Sequence, residues 1–381
     1  IRIEIMDSFT YHKLTSYSRF NMAPHHLDWE HVPLLQKAYP ALPSKALNPL
    51  ETLPATSLKA VLGDSTDRLR TTLGFRDLSA ILLLANGITA QRRYGSQTQY
   101  FRSSPSAGAL YPNEIYVAAQ DVADLPSGLY NHQVMDGSLV ELSKAPVGPQ
   151  VHRALTKKGR SIPTASLLIT GIFFRSAWKY RARAFRYVLL DAGHLIENLV
   201  LVARAHGYGF SVHYDFDDIA LERLLGIDPK REACLAVINL YSERGAGRKV
   251  PDETRKDSLL ISEEMSRASQ TAAAEIHYAA IQEVCAAGNI IKTGEADKVP
   301  VFTVAAKTPE EWFSIRADTA LKGELPFIET VLKRRSRRNF VPVPMPTSFA
   351  MHLMQSLCIS PGHENDEGLA NSGCMTPGFA A

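Results

Sequence analysis

The chain has 381 residues, of which 45% are hydrophobic and 21% charged, and its formal net charge is +3. This length allows one large or two medium globular domains with a sizeable apolar core. The small net charge and the mostly dispersed lysines and arginines argue against a nucleic acid or a membrane surface as the partner.

Cysteine spacing and hydropathy predict a cytoplasmic protein. The four cysteines, Cys234, Cys285, Cys358 and Cys374, show no C-x-x-C spacing and no histidines at metal-ligand intervals, so reduced thiols are expected rather than a metal site. No apolar run approaches the roughly 20 residues of a transmembrane helix. The first residues, IRIEIMDSF, lack the apolar core of a signal peptide.

The first half of the chain predicts an arm, a helix and two strands. Residues 1–57 are rich in proline, histidine and aromatic side chains but have little periodicity, which predicts an arm laid over a core. The apolar stretch 78–86 predicts a helix that ends before Gly87 as its C′ glycine. Residues 114–119 and 166–174 predict strands because β-branched and aromatic residues dominate them.

The second half predicts one long helix and several shorter elements. Apolar residues recur at three- and four-residue spacing from about Ala182 to Gly207, which predicts a helix with one broad buried face. Residues 233–240 predict a buried strand, and residues 265–287 predict an alanine-rich helix. A further helix is predicted to open at residues 327–332.

A faint internal repeat divides the chain. The stretch SLKAVLGDSTDRLR resembles FIETVLKRRSRRNF at an offset of about 270 residues. The predicted division is an arm at 1–57, a first unit at 58–245, a connector with a helix at 246–325, and the start of a second unit at 326–381. The apolar residues of that last segment should then be buried against the first unit; they are Phe327, Ile328, Val331, Leu332, Phe349 and Leu353.

A run of small residues precedes the strand at 114–119. The segment RSSPSAGALYPNEIYV spans residues 102–117 and has almost no side chain to pack before its strand begins. Such a loop lets a flat or charged ligand approach closely spaced backbone N–H donors, although an ordinary turn has the same composition. A serine-hydrolase elbow is excluded, because Ser106 is followed by Ala107 and Gly108 and does not stand in a G-x-S-x-G motif.

Four separated stretches carry a resemblance to a known family. They are an arm with YHKLTSY, LDW and KAY, the loop PSAGALYPNEIYV, the segment WKYRARAFRYVLLDAGHLIENL at residues 178–199, and the glycine pair in AHGYGF. The chain resembles FMN-dependent nitroreductases, and within them the azoline-oxidizing dehydrogenases of thiazole and oxazole peptide biosynthesis. The resemblance implies an α+β fold with a mainly antiparallel sheet flanked by helices, and FMN at a dimer or intrachain pseudo-dimer interface.

The same resemblance implies the site residues. A Lys-Tyr pair, Lys179 and Tyr180, would remove a proton while hydride leaves for the flavin. The implied flavin contacts of the small-residue loop are Arg102, Ser104, Pro105, Ser106, Ala107 and Gly108. Gly207 and Gly209 would lie across the flavin ring, although a bare G-x-G is also common at helix ends.

On one continuous helix, Lys179, Arg183 and Arg186 would share a face, so two like charges would favour the neutral amine and a stronger base. A solvated basic helix face is the alternative interpretation.

The basic run KRRSRR at residues 333–338 has three interpretations: a nucleic-acid patch, a solvated surface, or a grip on the FMN phosphate. Family resemblance favours the phosphate grip, through forked guanidinium donors. The residues that fit its pattern are Arg334, Arg335, Ser336 and Arg338. The first copy has GDSTDRLR at the corresponding place, which weakens its own phosphate grip.

These features predict an FMN-dependent oxidoreductase that moves hydride between the flavin and a small-molecule or peptide substrate. Azoline dehydrogenation depends on Lys179 and Tyr180, whereas an NAD(P)H-dependent nitro or quinone reductase does not. A non-catalytic flavin-binding protein, in which an incomplete second copy completes a dimer-like core, is a third hypothesis.

Overall fold

The structure is a computed structural model that describes residues 6–18, 20, 25–51, 53–62, 69–95, 97–157, 163–243, 263–289, 325–337 and 341–351. Its helices are α1 (Ser8–Leu14), α2 (Leu58–Leu62), α3 (Phe75–Asn86), α4 (Gly148–Ala154), α5 (Phe173–Tyr180), α6 (Ala184–Ala205), α7 (Asp218–Leu225), α8 (Glu263–Arg267), α9 (Ala279–Gly288) and α10 (Phe327–Lys333). Its strands are β1 (Ser44–Ala46), β2 (Leu73–Gly74), β3 (Ile88–Tyr94), β4 (Gln97–Arg102), β5 (Asn113–Ala119), β6 (Val122–Ala123), β7 (Gly128–Gln133), β8 (Ser138–Ser143), β9 (Ala165–Ile172), β10 (Gly209–His213) and β11 (Glu232–Tyr241). Short 3₁₀ turns lie at Trp29–His31, Ala107–Ala109 and Arg181–Arg183.

A seven-stranded sheet forms the centre of the described part of the chain. The strand order is β1-β8-β7-β5-β9-β11-β10, and every neighbouring pair is antiparallel. The central strands β5 and β9 are buried throughout, which explains why they are continuous apolar runs. The predicted α+β fold, an antiparallel sheet flanked by helices, is confirmed.

Helices cover both faces of this sheet. Ile115 and Val117 point to the face that packs against α3 and α6, whereas Tyr116 and Ala118 point to the face that packs against α4 and α7. The alternation follows from the two-residue period of a strand. None of the described helices is long and apolar enough to cross a membrane.

Several predicted elements are confirmed with shifted ends. The strand predicted at 166–174 ends at Ile172, because Phe173 begins α5 and donates its N–H to Arg231 O. Helix α3 ends before Gly87 as predicted, and Gly87 has a φ of −71° rather than the left-handed conformation common at helix ends. A Cβ at residue 87 would lie 2.2 Å from Leu83 O, and this close approach is what requires glycine.

The prediction of one continuous helix at 265–287 is wrong. Two short helices, α8 and α9, replace it, and the residues between them bind other parts of the chain. Ser269 donates its hydroxyl to Glu232 Oε2 at 2.7 Å, and Thr271 O accepts from the N–H of Leu34 at 2.8 Å. These tertiary hydrogen bonds replace the i to i−4 bonds that a continuous helix would need.

Helix α10 packs on the first predicted unit. Phe327 and Ile328 are buried in the core formed with α3, and Val331 and Leu332 pack partly buried against it. Phe349 is 55% exposed, so its predicted burial is wrong. Leu353 lies outside the described residues. The division of the chain into two repeats remains a prediction.

Candidate active site

A cleft of about 770 Å³ collects the predicted site residues from three separate parts of the chain. It lies between the loop after β4, the end of α5, the β3–β4 hairpin and the segment after α10. Its volume falls in the range of roughly 300 to 1,000 Å³ that is typical of small-molecule sites. Of the predicted site residues, the cleft is lined by Pro105, Ser106, Gly108, Lys179, Tyr180, Arg334, Arg335 and Ser336.

The small-residue loop is held in an unusual backbone conformation. Gly108 has φ of 68°, and Ala109 and Tyr111 have φ of 56° and 47°. Positive φ is uncommon for residues with a side chain, so surrounding contacts must hold the loop in place.

Asp191 of α6 supplies those contacts. Its Oδ2 accepts the hydroxyl of Ser106 at 2.5 Å, and its Oδ1 accepts the N–H of Ala107 at 3.1 Å. The Ser106 hydroxyl oxygen in turn accepts the N–H of Tyr111 at 2.8 Å. Burial raises the pKa of Asp191 to about 6, although these hydrogen bonds favour its charged form. Sequence reasoning missed Asp191; the signal was an acidic residue beside the apolar stripe of a long amphipathic helix.

Gly108 faces the predicted catalytic pair. A Cβ built on residue 108 would lie 2.9 Å from Tyr180 Oη and 3.2 Å from Lys179 Nζ. Lys179 Nζ lies 5.6 Å from the centre of the Tyr180 ring. An amine, a phenol and a strained glycine loop therefore meet at one wall of the cleft.

The long helix does not extend back to Lys179. Arg181 has φ of 52° and ψ of −140°, and this residue separates α5 from α6. Arg183 donates to Thr15 O, and Arg186 donates its Nε to Thr15 Oγ1 at 3.0 Å. The expectation that Lys179, Arg183 and Arg186 share one helix face is wrong, because the two arginines bind the residue that follows α1.

The N-terminal arm fastens the end of α5. The indole N–H of Trp178 donates to Asp28 O at 2.6 Å, and the Trp178 and Trp29 rings meet edge to face at 5.2 Å. His25 Nε2 lies 2.9 Å from Lys179 O. The arm thus fixes the backbone that carries Lys179 and Tyr180.

Two arginines of the basic run bind backbone carbonyl groups, and the phosphate grip predicted for this run stays a prediction. Arg334 donates to Ser103 O at 2.9 Å and to Arg102 O at 3.3 Å, so it braces the chain next to the small-residue loop. Arg335 donates to Thr89 O at 2.6 Å and to other carbonyl oxygens nearby. Burial lowers the pKa of Arg334.

Beyond these two arginines, Ser336 and Arg337 line the cleft and are exposed. Arg338 lies outside the described residues.

Three other predicted site residues, Arg102, Ser104 and Ala107, are not among the described residues that line the cleft. The Arg102 guanidinium is buried, donates to Leu35 O at 2.7 Å and stacks on Tyr111 at 4.6 Å; burial lowers its pKa to about 10. Ser104 donates its hydroxyl to Asn86 Oδ1 at 2.9 Å, and the Ala107 N–H binds Asp191.

The glycine pair lies near β10. Gly207 O accepts the N–H of Arg70 at 2.8 Å, and Gly209 lies beside the Leu69 side chain. Neither glycine is among the described residues that line the cleft.

One wall of the cleft was absent from the predictions. The β3–β4 hairpin contributes Arg92, Tyr94, Gln99 and Phe101 to the lining. The sequence did contain a signal, since ITAQRRYG and QTQYFR alternate around a glycine, as hairpin strands do.

Comparison with known proteins gives consistent matches. A model described as "Nitroreductase family" matches residues 75–240, from the first residue of α3 almost to the end of β11. A "Putative nitroreductase" of Methanocaldococcus jannaschii is 34% identical over 156 residues, which cover 41% of this chain and 75% of that protein. A crystal structure of a "putative nitroreductase" from Anabaena variabilis superimposes with a TM-score of 0.51 at 31% identity, covering 60% of this chain and 45% of that one.

Two processing proteins are also similar to part of this chain. The trifolitoxin-processing protein TfxB of Rhizobium leguminosarum bv. trifolii is 29% identical over 174 residues, which cover 43% of this chain and 47% of that protein. The microcin B17-processing protein McbC of Escherichia coli is 26% identical over 143 residues, which cover 36% of this chain and 52% of that protein. The chain therefore spans about half the length of these two relatives. Together with the sheet order and the 75% coverage of the archaeal relative, the matches show that the chain belongs to the nitroreductase family.

Proposed function

We propose that this chain is an FMN-dependent oxidoreductase that transfers hydride between the flavin and an organic substrate. Membership of the nitroreductase family supports an oxidoreductase. The observation that carries the proposal is the contact of the Gly108 loop with the ends of Lys179 and Tyr180 inside one cleft. The proposed proton-transferring pair would then lie beside a loop without bulky side chains.

The described residues fit a bound flavin. The cleft volume of about 770 Å³ can accommodate a flat ring, and Gly108 brings backbone rather than a side chain to its lining, where a Cβ would meet the ends of Lys179 and Tyr180. Ser336 and Arg337 line the same cleft and would hold the FMN phosphate, because Arg334 and Arg335 already donate to backbone carbonyls. When bound, FMN supplies a two-electron donor or acceptor.

Residues that follow α10 in the same chain line part of the cleft. Helix α10 packs against α2 and α3, and Arg334 bonds the carbonyls of Arg102 and Ser103 next to the loop. This packing supports an intrachain pseudo-dimer site, in which residues 326–337 take the place of a partner subunit.

Lys179 and Tyr180 would carry the proton in an azoline-type dehydrogenation. Oxidising an azoline ring to an azole removes one proton and one hydride from the ring, so a base is needed beside the hydride acceptor. We assign Lys179 Nζ as that base, with Tyr180 Oη sharing the proton. Two relatives are named as processing proteins of trifolitoxin and microcin B17, which supports a processing reaction on a peptide for this chain.

The experiment is anaerobic incubation of the purified protein with a thiazoline-containing peptide, followed by mass spectrometry for the loss of two hydrogens. Released FMN should be identified from its absorption spectrum and chromatographic mobility. Lys179→Ala should abolish dehydrogenation without reducing FMN content. Lys144→Ala is the matched control, because its ammonium is exposed on the surface and its only described ion pair is with Glu141, at 3.9 Å.

A nitro or quinone reductase is the alternative that the names of other relatives favour. Strong NADPH-driven turnover of a nitroarene or quinone, unchanged by Lys179→Ala, would establish that alternative and contradict the dehydrogenase. A flavin-loaded protein inactive in both assays would indicate a flavin carrier. A protein that gains no flavin absorbance when mixed with FMN would refute all three functions.

A further inference from the structure

The β3–β4 hairpin presents one chemically distinct face to the cleft. Arg92 pairs directly with Gln99 across the two strands, and Ala90 pairs with Phe101. Because alternate residues of a strand share a face, Arg92, Tyr94, Gln99 and Phe101 lie together, and all four line the cleft. The intervening Arg93 donates its Nε to Gly95 O at 3.2 Å and does not belong to the described lining.

This face combines a cation with aromatic surface. The Arg92 guanidinium lies 4.8 Å from the centre of the Tyr94 ring, and Tyr94 is 50% exposed. A guanidinium held over an aromatic ring retains donors for an anion, while the ring edge and Phe101 provide apolar contact. The Gln99 side-chain amide adds a polar group directly opposite Arg92.

The cleft carries more positive charge than FMN can neutralise. Its arginine lining residues are Arg92, Arg334, Arg335 and Arg337, and no aspartate or glutamate is among the described residues that line it. A phosphate monoester carries about two negative charges at neutral pH. Positive charge therefore remains after FMN binds, and a cleft of one sign attracts ligands of the opposite sign.

Arg92 is displaced along the hairpin from the basic run. Arg335 binds Thr89 near the start of β3, and Arg92 lies three residues closer to the hairpin tip, roughly 10 Å further along an extended strand. Arg92 therefore lies away from the Thr89 backbone that the basic run contacts, which leaves it as a second position for an anionic group beside Ser336 and Arg337, the proposed phosphate ligands.

We propose that the inner face of the hairpin is a substrate subsite for an organic anion, a carboxylate joined to a flat aromatic or heterocyclic group, with Arg92 as the residue that binds the carboxylate. The inference rests on the proposed flavin site, because the substrate would lie between this face and the flavin. Arg92 would thereby determine substrate specificity, a role that neither the Lys179–Tyr180 pair nor the glycine loop fills.

The test is equilibrium titration of the oxidised, FMN-loaded full chain with 4-nitrobenzoate and with its neutral analogue 4-nitrobenzamide, followed by flavin absorbance. The carboxylate should bind about tenfold more tightly than the amide, as expected for a charge-assisted hydrogen bond. Arg92→Gln should remove this preference, and Arg92→Lys should retain part of it. Arg93→Gln is the matched control, since it removes the same charge from the opposite face of the same hairpin and should keep the full preference.

Two further outcomes separate this subsite from the flavin site. If Arg92→Gln weakened FMN binding but not riboflavin binding, Arg92 would hold the cofactor phosphate, and the subsite proposal would be overturned. Equal binding of the carboxylate and the amide by a flavin-loaded protein would also overturn it, while leaving the proposed function intact. A protein that fails to bind FMN would instead refute the proposed function.

Discussion

Gly108 and Tyr180 lie so close that a Cβ at residue 108 would come 2.9 Å from Tyr180 Oη, so the Tyr180 side chain would have to move to admit it. The same Cβ would come 3.2 Å from Lys179 Nζ, and the φ of 68° already disfavours any residue other than glycine. The backbone of the loop thus sets the position of the proposed catalytic pair.

Gly108→Ala should therefore reduce dehydrogenation at least tenfold, because Lys179 and Tyr180 would have to move. FMN occupancy, measured from the absorbance ratio of flavin to protein, should also fall. Gly137→Ala is the matched control, since Gly137 has φ of 58° but open space around its Cβ position. Equal losses in the two variants would show that backbone strain alone is responsible.

The Asp191 carboxyl predicts a pH dependence of stability. Its pKa is raised from 3.8 to about 6, so the folded chain binds this proton more tightly than the unfolded chain does. The contribution of Asp191 to the free energy of unfolding is complete below about pH 4 and is lost as the pH rises through about 6. Urea unfolding of wild type and Asp191→Asn should therefore give a difference in stability that falls across this window.

Asp136→Asn, at an exposed carboxyl outside the cleft lining, serves as the control variant. If the stability difference between wild type and Asp191→Asn did not change with pH, the carboxyl would titrate at the same pH in the folded and unfolded chains.

Arg334 and Arg337 should affect flavin binding in different ways. Arg337→Gln should weaken FMN binding by about tenfold while leaving riboflavin binding unchanged, because only FMN carries the phosphate. Arg334→Gln removes the donors to Ser103 O and Arg102 O and should weaken both ligands equally by loosening the loop. Fluorescence titration with each flavin measures both effects. If instead Arg334→Gln weakened only FMN binding and Arg337→Gln changed neither affinity, Arg334 would bind the phosphate and Arg337 would have no role in flavin binding.

A buried ion pair ties the arm to the sheet. Lys37 Nζ lies 2.6 Å from Glu232 Oε2, and both side chains have no exposed surface. Burial alone would lower the pKa of Lys37 and raise that of Glu232, but each charge reverses this effect on its partner. Tyr116, Thr170 and Ser269 add hydrogen bonds to the pair.

Lys37→Met should lower the free energy of unfolding by about 3 kcal/mol or more, because it leaves the Glu232 carboxylate buried without its cation. Lys37→Met combined with Glu232→Gln should recover part of that loss, which chemical denaturation will measure. A double variant no more stable than the single variant would mean that the arm depends on the pair itself.

Removing every residue after Leu325 should lower both solubility and FMN occupancy. Phe327 and Ile328 would no longer cover the core around α3, and Arg334 would no longer brace the loop. Truncation after Arg337 keeps these contacts and is the control. If the shorter protein stayed soluble and fully flavin-loaded, residues 326–337 would not complete the site.

The sequence alone determined the central strands, the long helix and the character of the loop. Strands β5, β9 and β11 are buried and therefore appear as apolar runs, and α6 shows its buried face as a three- and four-residue period. These signals are local, because burial of a strand or of one helix face favours apolar residues at all the buried positions of that element. The Lys179–Tyr180 pair came from family resemblance, and the structure places it beside Gly108.

Tertiary structure alone decided which groups complete the cleft. Asp191 reaches Ser106 across 85 residues of sequence, and Arg334 reaches Ser103 across 231. The arginines of the basic run have many potential partners, and only the packing of α10 decides that two of them turn to backbone carbonyls. Such contacts depend on how helices and strands pack in space, and the local pattern of residues along the sequence does not predict that packing.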